Sequence, residues 1–170
     1  MITNEWFCGL ENAPDAAKIR TEVFVNEQRF KKEDEFDVYD NQSMHVVIYD
    51  GEKPIGTGRL YHDGRTFCIG RICVLKEERS MGVGDLLMRL LLVKAFSYRP
   101  SQVRIMAQMA AKGFYENFGF AVCGDEEDEC GVAHVPMCVT PDTLVFKSGC
   151  GKEMRFADLF PEQAETPPEQ

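Results

Sequence analysis

Apolar and polar positions alternate with two different periods along this chain, and the change of period divides it. "ITNEWFC" (residues 2–8) predicts a first strand. Pro14 and Asp15 suit a first helical turn, and Ala16, Ile19 and Val23, with Phe24 alongside, then supply one apolar helix face. "KKEDEFDVYDNQS" (31–43) is polar and acidic, a loop or a short broken helix. Three apolar runs follow, "MHVVIYD", "IGTGRLY" and "TFCIGRICVL", with the turns "DGEKP" and "HDGR" between them. That order predicts an antiparallel meander, with Gly70 marking a bulge or a close backbone approach.

Helical spacing then takes over. "GDLLMRLLLVKAF" is apolar nearly all round, so its helix is expected to be buried on most sides. "VRIMAQM" (103–109) predicts a strand, residues 111–118 a short helix, and "GFAVCG" a further strand. The acidic turn "DEEDE" would join that strand to "GVAHVPMCV" in a hairpin. Beyond residue 139 the chain reads as an extension (140–170): "TLVFK" as a strand, "MRFADLF" as a short amphipathic turn packing on the body, and "ETPPEQ" as disordered.

Composition narrows the classes. At 170 residues, 44% apolar and 28% charged, the chain suits one soluble domain with its own core. No apolar run is long enough for a membrane span, and the N-terminus has neither the basic start nor the apolar centre of a signal peptide. The seven cysteines form no C-x-x-C pair, so they read as small hydrophobes in a reducing cytoplasm rather than as a metal site. A net charge of −9 argues against nucleic-acid binding and is compatible with a cationic small molecule or basic peptide.

The chemistry concentrates in "KEERSMGVGDLLMRLL" (76–91). Gly82 and Gly84 stand at the mouth of the leucine-rich helix, with Arg79 just before them. Bare backbone amides and the positive end of a helix dipole together make an anion site. A Rossmann loop is excluded because Leu87 stands where its third glycine would be. "GCGKE" is no P-loop, since no Ser or Thr follows Lys152.

A strand ending in valine, then Arg-x-x-Gly-x-Gly, then a leucine-rich helix resembles the acyl-CoA-binding motif of GNAT superfamily N-acetyltransferases. The later "AQMAAKGFYENFGF" resembles their second motif, with Ala111, Tyr115 and Gly119-Phe120 in register. "RTEVFVNEQ" and "AHVPM" are similar to one bacterial branch, and the resemblance covers residues 1–139. It implies an α/β (α+β) fold, a central mixed and mostly antiparallel twisted sheet flanked by helices. It also implies acetyl-CoA as co-substrate, no metal, and transfer to a primary amine by direct attack in a ternary complex. Coenzyme pyrophosphate would sit on the amides of Arg79, Ser80, Met81, Gly82, Val83 and Gly84, and the pantetheine arm would pair with Ile72, Cys73 and Val74. Gln108 stands where many relatives carry an asparagine that binds pantetheine or backbone, and Tyr115 would protonate the departing thiolate.

The acceptor side is less specific. Glu22 and Glu27, five residues apart on the first helix, and His134 on the late strand are candidates for acceptor binding or for the base. Solvated surface carboxylates and a satisfied structural histidine are the alternatives. The acidic runs Glu33–Asp40 and Asp125–Glu129 would favour a small-molecule or peptide amine that is cationic. Two wider alternatives stay open: a non-catalytic acyl-CoA-binding or protein-interaction module on the same fold, and a homodimer in which the extension is an arm.

Overall fold

A computed structural model describes residues 1–164; the "ETPPEQ" expected to be disordered lies outside the described residues. The fold is mixed α/β, with a mostly antiparallel sheet flanked by helices. The chain divides into two compact units, residues 1–64 with 69–91 and residues 65–68 with 92 onward. No helix among the described residues is long and apolar enough to cross a membrane.

In the first unit, β1 (Ile2–Cys8), β2 (Met44–Asp50), β3 (Lys53–His62) and β4 (Phe67–Val74, from residue 69 on) lie side by side in that order. The register pairs Trp6 with Val46 and Val47 with Thr57. Helix α1 (Pro14–Arg20) opens on its proline and buries Ala16 and Ile19, which join Val23, Phe24, Val47 and Cys73 in one apolar cluster. The helix does not run on regularly as the periodicity implied. Thr21–Glu27 is wound as a π-helix, with the Gln28 amide donating to the Val23 carbonyl. The wider turn brings residues five apart nearer to one face.

Two glycines of β3 let the next helix close on the sheet. A Cβ at Gly56 would press on Val83 and Leu87, and one at Gly58 would strike the Leu91 side chain. Helix α3 (Val83–Phe96) therefore lies close against β3 in its first turns. Although apolar nearly all round, it fully buries a stripe, Leu87, Met88, Leu91, Leu92, Ala95 and Phe96. The backbone irregularity nearest Gly70, where a bulge or close approach was expected, falls on the next residue. Arg71, not the glycine, takes the left-handed conformation, with φ +53°.

In the second unit, β8 (Val132–Val139) pairs with β5 (Val103–Gln108), with β6 (Ala121–Val122) and with β7 (Glu127–Glu129). The acidic run was expected to form the hairpin turn, but part of it is strand. The turn is Cys130-Gly131, where φ is +55° and +83°, the two positive values a tight two-residue hairpin needs. Cys123 and Cys138, expected as free thiols, are bonded to each other. Pairing of β6 along β8 brings them together, with the Cys123 amide donating to the Pro136 carbonyl.

Helix α4 (Lys112–Glu116) leads into Gly119, whose φ is +88° and where a Cβ would collide with the Thr143 carbonyl. The extension packs through its aromatic residues. The hairpin of β9 (Val145–Lys147) and β10 (Glu153–Arg155) precedes helices α5 (Phe156–Leu159) and α6 (Pro161–Ala164). Phe156 is fully buried, with ring centroids 5.1 Å from Phe96 and 6.3 Å from Phe146.

Candidate active site

The turn after β4 is built to leave amides exposed. Lys76–Glu78 form one 3-10 turn, Ser80 and Gly82 are left-handed at φ +66° and +81°, and α3 begins at Val83. Left-handed residues in a turn of this kind can gather successive amides on one side. The first hydrogen bond into α3 runs from the Leu86 amide to the Gly82 carbonyl, so the helix itself offers no acceptor to the amides before Leu86. Ser80, Met81 and Gly82 are exposed, whereas Val83 is buried and anchors the turn to the core. A Cβ at Gly82 would meet nothing, so that position is glycine for its φ and not for lack of space. The residues present fit a diphosphate.

Arg79 does not aim its charge into that turn. Its Nη1 and Nη2 donate to the Glu27 carboxylate at 2.7 and 2.6 Å, and its Nε donates to the Val74 carbonyl at 3.0 Å. One side chain thus ties the end of β4 to the end of the first helical stretch. Of the three residues expected to line the pantetheine arm, Cys73 is buried, while Ile72 and Val74 are half-buried. Burial pushes the Cys73 thiol far up, with the Glu35 carboxylate adding to it.

In the second unit, Tyr115 is half-buried on α4, its ring edge-on to Phe114 at 5.2 Å and to Phe120 at 6.1 Å. Gln108, the last residue of β5, lies directly across the ladder from His134 on β8. Nδ1 of His134 sits 2.8 Å from the Val132 carbonyl, and Nε2 is 3.7 Å from Glu129. The histidine is buried, which matches the satisfied structural reading.

Comparison with known proteins decides the family. The sequence model of the Acetyltransferase (GNAT) domain matches residues 12–141. The chain belongs to the GNAT acetyltransferase family. This GNAT chain is 41% identical over 128 residues to the uncharacterized N-acetyltransferase YjcF of Bacillus subtilis, covering 75% of this chain and 91% of that protein. It is also similar to a solved structure from Lactobacillus plantarum assigned as an N-acetyltransferase. There the TM-score is 0.74 and the identity 29%, over 82% of this chain and 97% of the other. A solved acyl-CoA N-acyltransferase of Pseudomonas aeruginosa shares the fold at TM-score 0.70 and 24% identity, over 80% and 99% of the two chains.

Membership makes the protein an acyltransferase. The acceptor-side candidates of this GNAT enzyme do not behave alike. Glu22 is exposed and accepts a bond from the Asn26 amide group at 2.8 Å, whereas Glu27 is committed to Arg79. The bond from Arg79 holds the Glu27 carboxyl below its ordinary range.

The acidic run Glu33–Asp40 is also not the open negative surface its composition implied. Glu35 and Asp40 are buried against Arg20, and Asp37 and Asp40 take Arg59. Arg71 pairs with Glu35 and Asp37. Asp125–Glu129, in contrast, are all exposed. This network of arginines and carboxylates joins segments far apart in the chain and leaves little local mark in the sequence. Only Arg20, an arginine on the apolar side of a helix, could have signalled it, and it is fully buried.

Proposed function

We propose that the enzyme moves an acetyl group from acetyl-CoA to a primary amine by direct attack in a ternary complex. The observation that carries this reading is the turn with left-handed Ser80 and Gly82 running from β4 into α3, a cradle of amides for the coenzyme diphosphate. Arg79, Ser80, Met81, Gly82, Val83 and Gly84 hold the diphosphate. Ile72, Cys73 and Val74 pair with the pantetheine arm by main-chain bonds, in the manner of an added strand. A strand amide near Cys73 or Val74 faces the thioester carbonyl, and such a donor supplies roughly 3 kcal/mol where negative charge develops.

The amine nitrogen bonds to the acetyl carbon, the carbon–sulfur bond breaks, and the thiolate leaves. Tyr115 gives that thiolate its proton, an assignment supported by its place in the second motif. Gln108 holds the donor from β5. A lysine-type amine of pKa about 10.4 is almost wholly protonated at neutral pH, so its proton must leave before attack. Glu22 is the carboxylate left for that role, since Glu27 is occupied by Arg79. A net charge of −9 and the exposed Asp125–Glu129 favour a cationic acceptor, either a small molecule or a peptide.

The test is release of coenzyme A thiol from acetyl-CoA across a panel of primary amines, for the wild type and Tyr115→Phe. The variant should lose roughly 100-fold in kcat while binding acetyl-CoA as before. Turnover unchanged by Tyr115→Phe would remove that residue from the chemistry, and no thiol release with any amine would reject acetyl transfer to amines.

A further inference from the structure

Arg71 is a residue in the wrong backbone conformation for its type. Its φ of +53° inside β4 is a left-handed value that strains an L-residue, yet Gly70, which would take it freely, stands one position earlier. Something must hold the arginine there. Its Nε lies 3.0 Å from the Glu35 carbonyl and 3.2 Å from the Glu35 carboxylate. Its Nη2 donates to Asp37 at 3.2 Å and to the Asp34 carbonyl at 3.4 Å.

These partners are themselves fixed. Arg20, with a side chain 1% exposed, donates to Glu35 at 2.7 Å and to Asp40 at 2.6 Å. Arg59, 2% exposed, donates to Asp37 at 2.7 Å and to Asp40 at 2.8 Å. Phe36 and Tyr61 cover the two guanidiniums, each 4.6 Å from ring to charge. The network therefore anchors the 35–40 segment, and that segment pins the side chain of Arg71.

A left-handed residue within a strand rotates the residues that follow it and interrupts the ladder. Those residues are Ile72, Cys73 and Val74, the last of β4, and the Leu75 amide beyond them donates to the Ile55 carbonyl of β3, 2.9 Å away. We propose that Arg71 is a positioning residue: its clamp on Glu35 and Asp37 sets the Ile72–Val74 backbone that receives the pantetheine arm. The inference rests on the acetyl-CoA reading above and adds to it the part of the chain that shapes the donor rail.

Two probes separate the rail from the diphosphate cradle: acetyl-CoA, which carries the pantetheine arm, and 3′-phosphoadenosine 5′-diphosphate, which keeps the diphosphate and lacks the arm. Both are titrated calorimetrically into the wild type and Arg71→Gly, a substitution that accepts the left-handed φ but removes the clamp. Affinity for acetyl-CoA should fall about tenfold or more and that for the arm-less diphosphate should stay within about twofold, because only the arm depends on the rail. Should Arg71→Gly fail to fold, Asp37→Asn, at a half-buried position, should show the same selective loss at about threefold. Equal weakening of both probes, or unchanged acetyl-CoA binding in a folded variant, overturns the proposal. A wild type that binds neither probe overturns instead the donor reading beneath it.

Discussion

The Arg79 guanidinium and the Glu27 carboxylate meet in two parallel bonds of 2.7 and 2.6 Å, joining residues 52 apart in the chain. A bidentate pair of this kind fixes orientation as well as charge. It leaves Glu27 with its pKa depressed and its oxygens engaged, which makes it a poor proton acceptor near neutrality.

Glu27→Gln should therefore lower kcat by less than about tenfold, where loss of a general base would cost about 100-fold or more. The pH dependence of kcat should keep its limbs, while the KM for acetyl-CoA rises as the Arg79 turn loses its partner. Steady-state kinetics over a pH series checks this, and a vanished acidic limb would restore Glu27 as the base.

A covalent route through Cys73 is also testable. The thiol is buried against Ala13, Ala16 and Val47, and burial pushes its pKa far above the thiolate range. Cys73→Ala should retain turnover within about threefold, and iodoacetamide should leave Cys73 unmodified in the folded protein, as read by peptide mass mapping. An inactive but folded Cys73→Ala would demand a nucleophilic role.

The buried ion network makes stability depend on pH in a defined direction. Burial alone would push the Asp40 carboxyl up, but Arg20 and Arg59 outweigh it and hold it at about 2, against an ordinary 3.8. Its contribution, about 2 kcal/mol, is complete above pH 3.8 and disappears as pH falls toward 2. Burial lowers His45 below its ordinary 6.5, so stability also declines once pH falls below that value. Glu35 acts in the opposite sense, because burial raises its carboxyl despite Arg71 and Arg20. Urea unfolding at a series of pH values should show Asp40→Asn less stable near neutrality and with a flatter decline between pH 4 and pH 2. A variant with the wild-type slope would contradict the assignment.

Much of this was legible in the sequence, and the part that was not has a common cause. The strand 44–50 and the long leucine-rich helix stood out because period-2 and helical spacing are properties of neighbouring residues. The turn from β4 into α3 was legible because glycine at a left-handed position leaves a local mark; Ser80, equally left-handed, leaves none. Contacts between distant segments were not legible. The Cys123–Cys138 bond depends on how β6 registers against β8, and the neutralised Glu35, Asp37 and Asp40 depend on arginines from α1, β3 and β4. The left-handed position was misplaced by one residue because composition favours Gly70, whereas Arg71 is the residue whose side chain is anchored. The π-wound stretch Thr21–Glu27 follows α1 while Ala16, Ile19 and Val23 keep ordinary helical spacing in the sequence, so no periodic signal announced it.

The most direct test of the central claim is backbone amide NMR of the labelled protein during titration with coenzyme A. The account predicts saturable shifts that are largest at Ser80, Met81, Gly82, Val83 and Gly84, with a second set at Ile72–Val74. Saturation with those amides unmoved, or no binding at all, would contradict it.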